Sequence, residues 1–288
     1  MNEKFELNNG KQIPFLGLGT WLMNEEAAYQ AVSEALRLGY RHIDTAEAYG
    51  NEKAVGKAIR DSGLAREDIF LTTKLAAECK DYESSKKAIE KSLEDLNVDY
   101  IDLMIIHSPE PWAAFRGEDH YFEGNKEAWK ALEEACLAGK IKSIGVSNFL
   151  IEDLKSLLPS CHIKPAVNQI LMHIGQVDEN LLNYCKNKGI LIEAYSPIAH
   201  GEILKNQKVA EMAKRYDVSI ASLCIRFIYQ LGAVALPKAS SKEHLMNNLD
   251  YDFVISPEDM ETLLKLPHPK DYGDASFFPV YGGNGQKR

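Results

Sequence analysis

Short apolar runs alternate with helical patterns eight times along this 288-residue sequence. The runs lie near residues 15–19, 42–44, 69–75, 101–107, 141–146, 166–170, 190–195 and 233–236. Strands that are separated by helices must pair in parallel, and eight such units in a chain of this length fit a closed barrel better than an open sheet. The pattern therefore predicts an α/β fold, a (β/α)₈ TIM barrel that forms a single domain over residues 1–288.

Two further segments frame the predicted barrel. Residues 4–7 and 12–14 flank Asn8-Asn9-Gly10, and two short alternating runs around an Asn-Gly turn indicate an N-terminal β-hairpin. The tail, residues 267–288, is rich in glycine, proline and aromatic residues. This composition predicts a C-terminal loop over the active-site face of the barrel.

Composition excludes several classes of partner. The net charge of −9 argues against broad binding to nucleic acid or anionic membranes. No apolar run approaches the roughly 20 residues of a membrane span, and the polar N-terminus lacks the apolar segment of a signal peptide. The five cysteines are scattered without a CxxC pair, as expected for reduced thiols rather than disulfides or a metal site. We expect a cytoplasmic protein that binds no metal, nucleic acid or membrane.

Polar residues stand at the carboxyl end of every predicted strand, which is where barrel enzymes place their active sites. In chain order they are Thr20-Trp21, Asp44 with Tyr49 in the loop that follows, Lys74, His107, Ser147-Asn148, Gln169, Tyr195-Ser196 and Lys238. Each residue alone has an ordinary explanation: Asp44 as a helix cap, Lys74 as a solvated strand end, His107 as a core histidine. The complete set predicts one catalytic face.

Four of these side chains, Tyr49, Lys74, Asp44 and His107, suit carbonyl chemistry and are called the tetrad below. A free tyrosine has a pKa of about 10, and a neighbouring ammonium group is expected to lower it by favouring the phenolate. The aspartate would hold the lysine charged and oriented, and the histidine would bind the substrate oxygen. The tetrad could deliver a proton to that oxygen while a hydride arrives at carbon.

The hydride needs a source, and the sequence offers no Rossmann motif for one. Residues 17–22 read GLGTWL, which lacks the third glycine of the GxGxxG fingerprint. A nicotinamide cofactor would therefore have to bind to the barrel loops. Amide and hydroxyl groups of Ser147, Asn148 and Gln169 could hold its carboxamide, and Tyr195 could stack on its ring.

Five segments together resemble the aldo-keto reductase family, and in particular its bacterial-type branch that includes the 2,5-diketo-D-gluconate reductases. They are GYRHIDTAEAYGNEKAVGKAI at 39–59, IKSIGVSNF at 141–149, AVNQI at 166–170, YSPIAHGEIL at 195–204 and LPKASSKEHLMNN at 236–248. The resemblance runs from the hairpin to the eighth helix, and the segments occur in the family's order. The short stretch after Tyr195 is similar to bacterial members that lack a long cofactor clasp.

The resemblance implies NAD(P)H-dependent reduction of aldehydes or ketones to alcohols. Tyr49 would be the general acid, Lys74 and Asp44 would tune it, and His107 would orient the carbonyl group. Residues near Ser196 would meet the pyrophosphate, and those after Lys238 the adenosine end. The implied cofactor-binding residues are Thr20, Trp21, Asp44, Ser147, Asn148, Gln169, Tyr195, Ser196, Ile198, Lys238, Ser240, Ser241, His244 and Asn248.

Three departures from the family pattern concern cofactor choice. Ala239 stands where serine is frequent, His244 where arginine is frequent, and Asn247 where an acidic residue is frequent. Arginine binds a 2′-phosphate as a permanently charged fork, whereas histidine is only partly charged at neutral pH. Because Lys238 remains as a phosphate partner, we expect NADPH as the cofactor, with use of NADH possible.

A fourth departure concerns the substrate pocket. Ser108 stands where many members carry a tryptophan, so one pocket wall is missing, and Trp112 could partly replace it. The predicted substrate-binding residues are Trp21, Tyr49, His107 and Trp112. The tail aromatics Phe277, Phe278 and Tyr281 could wall the pocket or cap the barrel, and both alternatives stay open. The expected partner is a small-molecule carbonyl substrate, and the expected oligomeric state is a monomer.

Two other functions remain as alternatives. A barrel with Lys74 as a Schiff-base nucleophile would act as an aldolase, although such a lyase has no use for the cofactor segments. A nicotinamide-binding sensor or regulatory barrel with little turnover is the second alternative, because barrels host many functions. The intact tetrad favours the reductase over both.

Overall fold

A computed structural model describes residues 3–283 of the chain, and it confirms the predicted barrel. An antiparallel hairpin of β1 (Lys4–Glu6) and β2 (Gln12–Pro14) comes first. Eight parallel strands follow in sequential order: β3 (Leu18–Gly19), β4 (His42–Asp44), β5 (Phe70–Leu75), β6 (Ile101–Ile106), β7 (Ile141–Ser147), β8 (Val167–Leu171), β9 (Leu191–Tyr195) and β10 (Val234–Leu236).

Backbone hydrogen bonds between the first and last barrel strands close the sheet. The N–H of Gly17 donates to the carbonyl of Ala235 at 2.9 Å, and the N–H of Ala235 donates to the carbonyl of Phe15 at 2.9 Å. Only Leu18–Gly19 of the predicted 15–19 strand belongs to the regular ladder with β4. Phe15 and Gly17, which precede this strand, form backbone hydrogen bonds with Ala235 of β10 instead. The regular strand is therefore shorter than predicted, and the barrel is closed.

Helices surround the barrel, and several of them begin at a residue whose side chain caps the first turn. Asp81, Asp178 and Ser219 are examples of residues whose side chains accept a hydrogen bond from an amide in the first helical turn, as N-cap residues do. The helices are α1 (Glu25–Arg37), α2 (Glu52–Asp61), α3 (Tyr82–Leu96), α4 (Phe122–Leu137), α5 (Ile151–Leu157), α6 (Glu179–Lys188), α7 (Gln207–Arg215), α8 (Ile220–Gln230), α9 (Lys242–Asn248) and α10 (Pro257–Leu264).

Apolar side chains fill the barrel and close the end that carries the N-terminal hairpin. Leu7 and Ile13 of the hairpin region pack with Phe70, Leu103 and Val234 of the barrel strands in one buried cluster. A larger buried cluster lies between the strands and the surrounding helices. Because the hairpin side is closed by packing, a ligand site is left to the opposite face, where the strands end.

The remaining features agree with a barrel held together by packing rather than by cross-links. All five cysteines are free. No helix within residues 3–283 combines the length and the apolar character that a membrane crossing needs. The predicted tail lies partly inside the described chain, as far as residue 283, and its last five residues fall outside it.

We predict that Gly56→Ala destabilises the protein, although alanine is normally the better helix former by up to about 1 kcal/mol. Gly56 lies on α2 where that helix meets the end of α3, and an added Cβ would stand 2.0 Å from the carbonyl oxygen of Leu96. Relief of that overlap must separate two backbones, so we expect a loss of about 1–3 kcal/mol in urea unfolding. Lys53→Ala, on the exposed side of the same helix, is the control and should change stability by less than about 0.5 kcal/mol.

Candidate active site

A buried ion pair lies at the centre of the candidate site. The ammonium group of Lys74 on β5 donates to Oδ1 of Asp44 at 2.5 Å and to the carbonyl oxygen of Thr45 at 2.8 Å. Lys74 is 1% exposed and Asp44 is 4% exposed. The two residues sit on adjacent parallel strands, so the sheet itself sets the approach of their side chains.

Tyr49 and His107 complete the predicted tetrad above this pair. A short 3₁₀ turn, Glu47–Tyr49, follows β4 and brings the phenol ring over Lys74, whose Nζ lies 4.9 Å from the ring centroid. The His107 ring meets the Tyr49 ring edge to face, with centroids 5.6 Å apart. The structure therefore brings all four side chains together at one mouth of the barrel.

The surroundings of Tyr49 keep its hydroxyl protonated. Burial, and then the negative charge of Asp44, raise the pKa of Tyr49 well above its ordinary value. This direction is opposite to the lowered pKa predicted from the ammonium group of Lys74. That effect is small in the free protein because Asp44 offsets the charge of Lys74 at 2.5 Å. Tyr49 thus holds its proton at neutral pH, as a proton donor must.

His107 is a neutral imidazole in this environment. Burial, followed by the positive charges of Lys74 and Lys80, lowers the pKa of His107 well below its ordinary value. A neutral imidazole has one N–H donor and one acceptor nitrogen. His107 can therefore donate a hydrogen bond to a carbonyl oxygen without competing with Tyr49 as an acid.

A cavity of about 680 Å³ opens beside the tetrad and extends to the start of α9, within the size range of small-molecule sites. Fifteen of the predicted site residues line it. They are Trp21, Asp44, Tyr49, His107, Trp112, Ser147, Asn148, Gln169, Tyr195, Ser196, Ile198, Lys238, Ser240, His244 and Asn248.

Three predicted residues are not among those that line this cavity. Lys74 lies behind the phenol ring of Tyr49. Thr20 is fully buried, and its hydroxyl donates to the carbonyl oxygen of Asp44 at 3.0 Å. The hydroxyl of Ser241 accepts the amide hydrogen of His244 as the N-cap of α9. The structure gives Thr20 and Ser241 local structural partners, and their predicted role toward a cofactor stays a prediction.

Side-chain amides and hydroxyls at the inner part of the cavity fit a nicotinamide carboxamide. Tyr195 donates from its hydroxyl to Oδ1 of Asn148 at 2.7 Å, and Ser147 donates from Oγ to the backbone carbonyl of Gln169 at 2.8 Å. Nε2 of Gln169 donates to Oδ2 of Asp44 at 2.9 Å. The side-chain oxygen of Gln169, Oε1, is on the opposite side of the amide from that bond and can accept a hydrogen bond from a ligand amide.

The outer part of the cavity fits the phosphate-bearing end of the same cofactor. Lys238 is exposed there, and its ammonium group reaches back to the carbonyl oxygen of Leu22 at 3.2 Å. The first turn of α9 is nearby, and free amide groups at a helix N-terminus attract anions. The donors along the cavity thus change from neutral amides to a cation, as the two ends of a dinucleotide require.

Two of the three tail aromatics wall the cavity. Phe278 packs against Trp21 and Trp112, with ring centroids 5.3 and 4.7 Å apart, and Phe278 and Tyr281 both line the space. Phe277 is not among the lining residues. The pocket-wall alternative therefore fits Phe278 and Tyr281.

A contact between the tail and the β9 loop was missed by the sequence reasoning. The hydroxyl of Tyr281 lies 2.8 Å from Oγ of Ser196 and 2.8 Å from Nε2 of His200. His200 lines the cavity, and burial lowers its pKa to about 4, so it is neutral at pH 7. Its position within the YSPIAHGEIL segment was the signal that could have singled it out.

Trp112 occupies the place for which the sequence proposed it. Its ring meets the His107 ring edge to face, with centroids 5.1 Å apart. Ser108 is fully buried, and its hydroxyl oxygen accepts the amide hydrogen of Glu110 at 3.3 Å. A loop residue four positions further on thus supplies the aromatic wall that Ser108 does not.

One group of side chains away from the tetrad has the spacing of metal ligands. Atoms of Glu110, His120 and Asp153 lie within 4.8 Å of one another. The guanidinium group of Arg116 already lies 3.9 Å from the Asp153 carboxylate and supplies positive charge there. We assign no metal to this group.

A protein-family model and characterised relatives both match most of the chain. The family model described as "Aldo/keto reductase family" matches residues 15–266. The glyoxal reductase of Bacillus subtilis (strain 168) is 40% identical over 265 residues, which cover 91% of this chain and 92% of that protein. The glycerol 2-dehydrogenase (NADP(+)) of Saccharomyces cerevisiae is 40% identical over 286 residues, covering 92% and 90% of the two chains.

Solved structures agree with these relatives. An aldo/keto reductase from Brucella melitensis superposes with a TM-score of 0.85 at 38% identity, covering 92% of this chain and 99% of that one. An aldo-keto reductase complexed with NADPH superposes with a TM-score of 0.86 at 30% identity, covering 98% and 93%.

We predict that Lys74→Met lowers stability by about 3–5 kcal/mol, because it leaves the Asp44 carboxylate buried without its cation. The double variant Asp44→Asn with Lys74→Met removes both charges and should recover a large part of that loss. Urea unfolding of the wild type, both single variants and the double variant provides the measurement. Equal losses for Lys74→Met and the double variant would contradict the importance of the pair.

Proposed function

Because the chain belongs to the aldo/keto reductase family, we propose that Tyr49 donates the proton with which this NADPH-dependent enzyme reduces aldehydes or ketones to alcohols. The expected family, oxidoreductase class and cofactor are confirmed by the family match and by relatives of the same class. The roles of individual residues are our proposal. The position of Tyr49, against Lys74 and His107 at the mouth of the cavity, is the observation that carries it.

The tetrad accounts for the proton half of the reaction. NADPH, when bound, supplies the hydride that adds to the carbonyl carbon. The electron pair of the C=O bond moves to oxygen, which takes the Tyr49 proton to give the alcohol and leaves a phenolate. Lys74, with its Nζ 4.9 Å from the ring, stabilises that phenolate, and Asp44 holds Lys74 in place. His107 donates a hydrogen bond that orients the substrate oxygen.

The cofactor would be held along the cavity from the tetrad to α9. Ser147, Asn148 and Gln169 supply neutral groups for the carboxamide, and Tyr195 supplies a ring face. Lys238 is the cation available to a 2′-phosphate. Trp21, Trp112 and Phe278 give the substrate end aromatic walls, which exclude water from the reacting groups.

The two alternative functions gain no support. Lys74 is 1% exposed and does not line the cavity, so a carbonyl compound could not reach it to form a Schiff base. Nothing among the relatives indicates a sensor without turnover. A single domain, a monomeric state, a cytoplasmic location and the absence of nucleic-acid and membrane partners stay predictions.

We predict that Tyr49→Phe lowers kcat for small aldehydes at least about 10²-fold, the usual scale for a lost general acid. The measurement is absorbance of the reduced nicotinamide over a panel of aldehydes, ketones and keto sugars. NADPH binding, followed by quenching of tryptophan fluorescence, should change little because the aromatic ring remains. Near-normal turnover by Tyr49→Phe would refute its role as the proton donor.

We predict that Lys238→Met weakens NADPH binding about tenfold, which corresponds to about 1.4 kcal/mol for one lost charged contact, and leaves NADH binding almost unchanged. The matched variant His244→Arg should strengthen binding of NADPH alone, because arginine is a permanently charged fork for phosphate. Dissociation constants for both cofactors at low and moderate salt test this. A parallel change for NADH and NADPH would show that neither residue reads the 2′-phosphate.

A further inference from the structure

A second buried carboxyl group lies deeper in the barrel than the tetrad. Glu193 sits in the middle of β9, between apolar neighbours Ile192 and Ala194, and is 0% exposed. Carboxyl groups are rarely buried to this extent without a partner. Its contacts therefore indicate what it does.

The Gln169 amide connects Glu193 to the tetrad. Nε2 of Gln169 donates to Oε2 of Glu193 at 3.1 Å and to Oδ2 of Asp44 at 2.9 Å. The other oxygen of Asp44 accepts from Lys74 at 2.5 Å. A continuous line of hydrogen bonds thus runs from Glu193 to the lysine that faces Tyr49.

This arrangement fixes which way the Gln169 amide points. A primary amide nitrogen carries two hydrogens, and the two carboxyl groups accept one each. A rotated amide would place its oxygen against the Asp44 carboxylate, which can only accept, and would leave both amide hydrogens without these partners. The carbonyl oxygen of Gln169 is therefore held on the side away from Asp44 and Glu193.

We propose that Glu193 is a positioning residue of this reductase, whose carboxyl group orients the Gln169 amide so that its oxygen is left for the nicotinamide carboxamide. This inference rests on the proposed function, because it assigns Gln169 to the cofactor. Glu193 acts through Gln169 and Asp44 and does not line the cavity.

The protonation state of Glu193 connects this role to pH. Burial, and then the negative charge of Asp44, raise the pKa of Glu193 to about 8. The titratable groups that face it are His42, Asp44 and Lys74, and burial lowers the pKa of His42 to about 3. At pH 7 both Glu193 and His42 are neutral. Ionisation above pH 8 adds a second negative charge beside Asp44, which holds the proton on Tyr49 more tightly and slows its donation.

Two substitutions separate orientation from titration. Glu193→Gln keeps an oxygen that can accept from Gln169 and removes the titrating group. NADPH affinity should stay within about threefold of the wild type, while the fall of kcat/KM above pH 8 should disappear or move to higher pH. Glu193→Leu removes the acceptor, so the dissociation constant for NADPH should rise about tenfold, the scale of one unsatisfied amide hydrogen.

A matched control measures the effect of lost stability alone. Leu103→Ala truncates a buried side chain in the apolar cluster beside the N-terminal hairpin, away from Gln169. It should lower the urea midpoint and leave the NADPH dissociation constant and the pH profile unchanged. Affinity is read from quenching of tryptophan fluorescence, so it does not depend on turnover.

The outcomes distinguish a failure of the role of Glu193 from a failure of the proposed function. Wild-type affinity in Glu193→Leu, or an unchanged alkaline fall in Glu193→Gln, would overturn the role of Glu193. If Glu193→Leu does not fold, the pH profile of Glu193→Gln decides alone. A wild-type protein that binds NADPH and reduces no carbonyl compound would instead overturn the proposed function. Loss of affinity in Leu103→Ala equal to that in Glu193→Leu would also count against a specific role.

Discussion

The ion pair between Lys74 and Asp44 is the constraint on which the rest of the site depends. Two opposite charges at 2.5 Å, almost fully buried, would be costly without full hydrogen bonding. The barrel supplies that bonding from the strand ends: Thr45 accepts from the ammonium group and Gln169 donates to the carboxylate. Gln169 and Asp44, which belong to this hydrogen-bonded group, also line the cavity.

The pair also decides which protons the resting site holds. Because Asp44 offsets the charge of Lys74, burial dominates at Tyr49 and keeps its hydroxyl protonated. The same burial, together with Lys74, keeps His107 neutral. In the proposed reaction Tyr49 is the acid and His107 a neutral hydrogen-bond donor. Lys74 would act when a phenolate forms, since only then would it face an unpaired negative charge.

Sequence periodicity predicted those features of the site that the course of the backbone determines. Strand ends placed Asp44, Lys74 and His107 on one face because parallel strands share a carboxyl edge. The pKa direction of Tyr49 could not be predicted, since it depends on how completely Asp44 offsets Lys74 in three dimensions. The contact of Tyr281 with Ser196 joins segments 85 residues apart, and no spacing rule relates a tail to a particular loop. Glu193 left a weaker signal, a lone acid in an apolar strand, which is unusual for a core position.

The loop after β9 shows how the fold holds a cavity wall in an unfavourable backbone conformation. Ser196, Ala199 and His200 have positive φ values of 52°, 47° and 53°, a region that costs of order 1–3 kcal/mol for residues other than glycine. The side chains of Ser196 and His200 are bonded to each other and to Tyr281. These bonds offset part of the strain, and the two that involve Tyr281 exist only because the tail crosses the mouth of the barrel. The tail is therefore part of the machinery that shapes this wall, in addition to closing the pocket with Phe278.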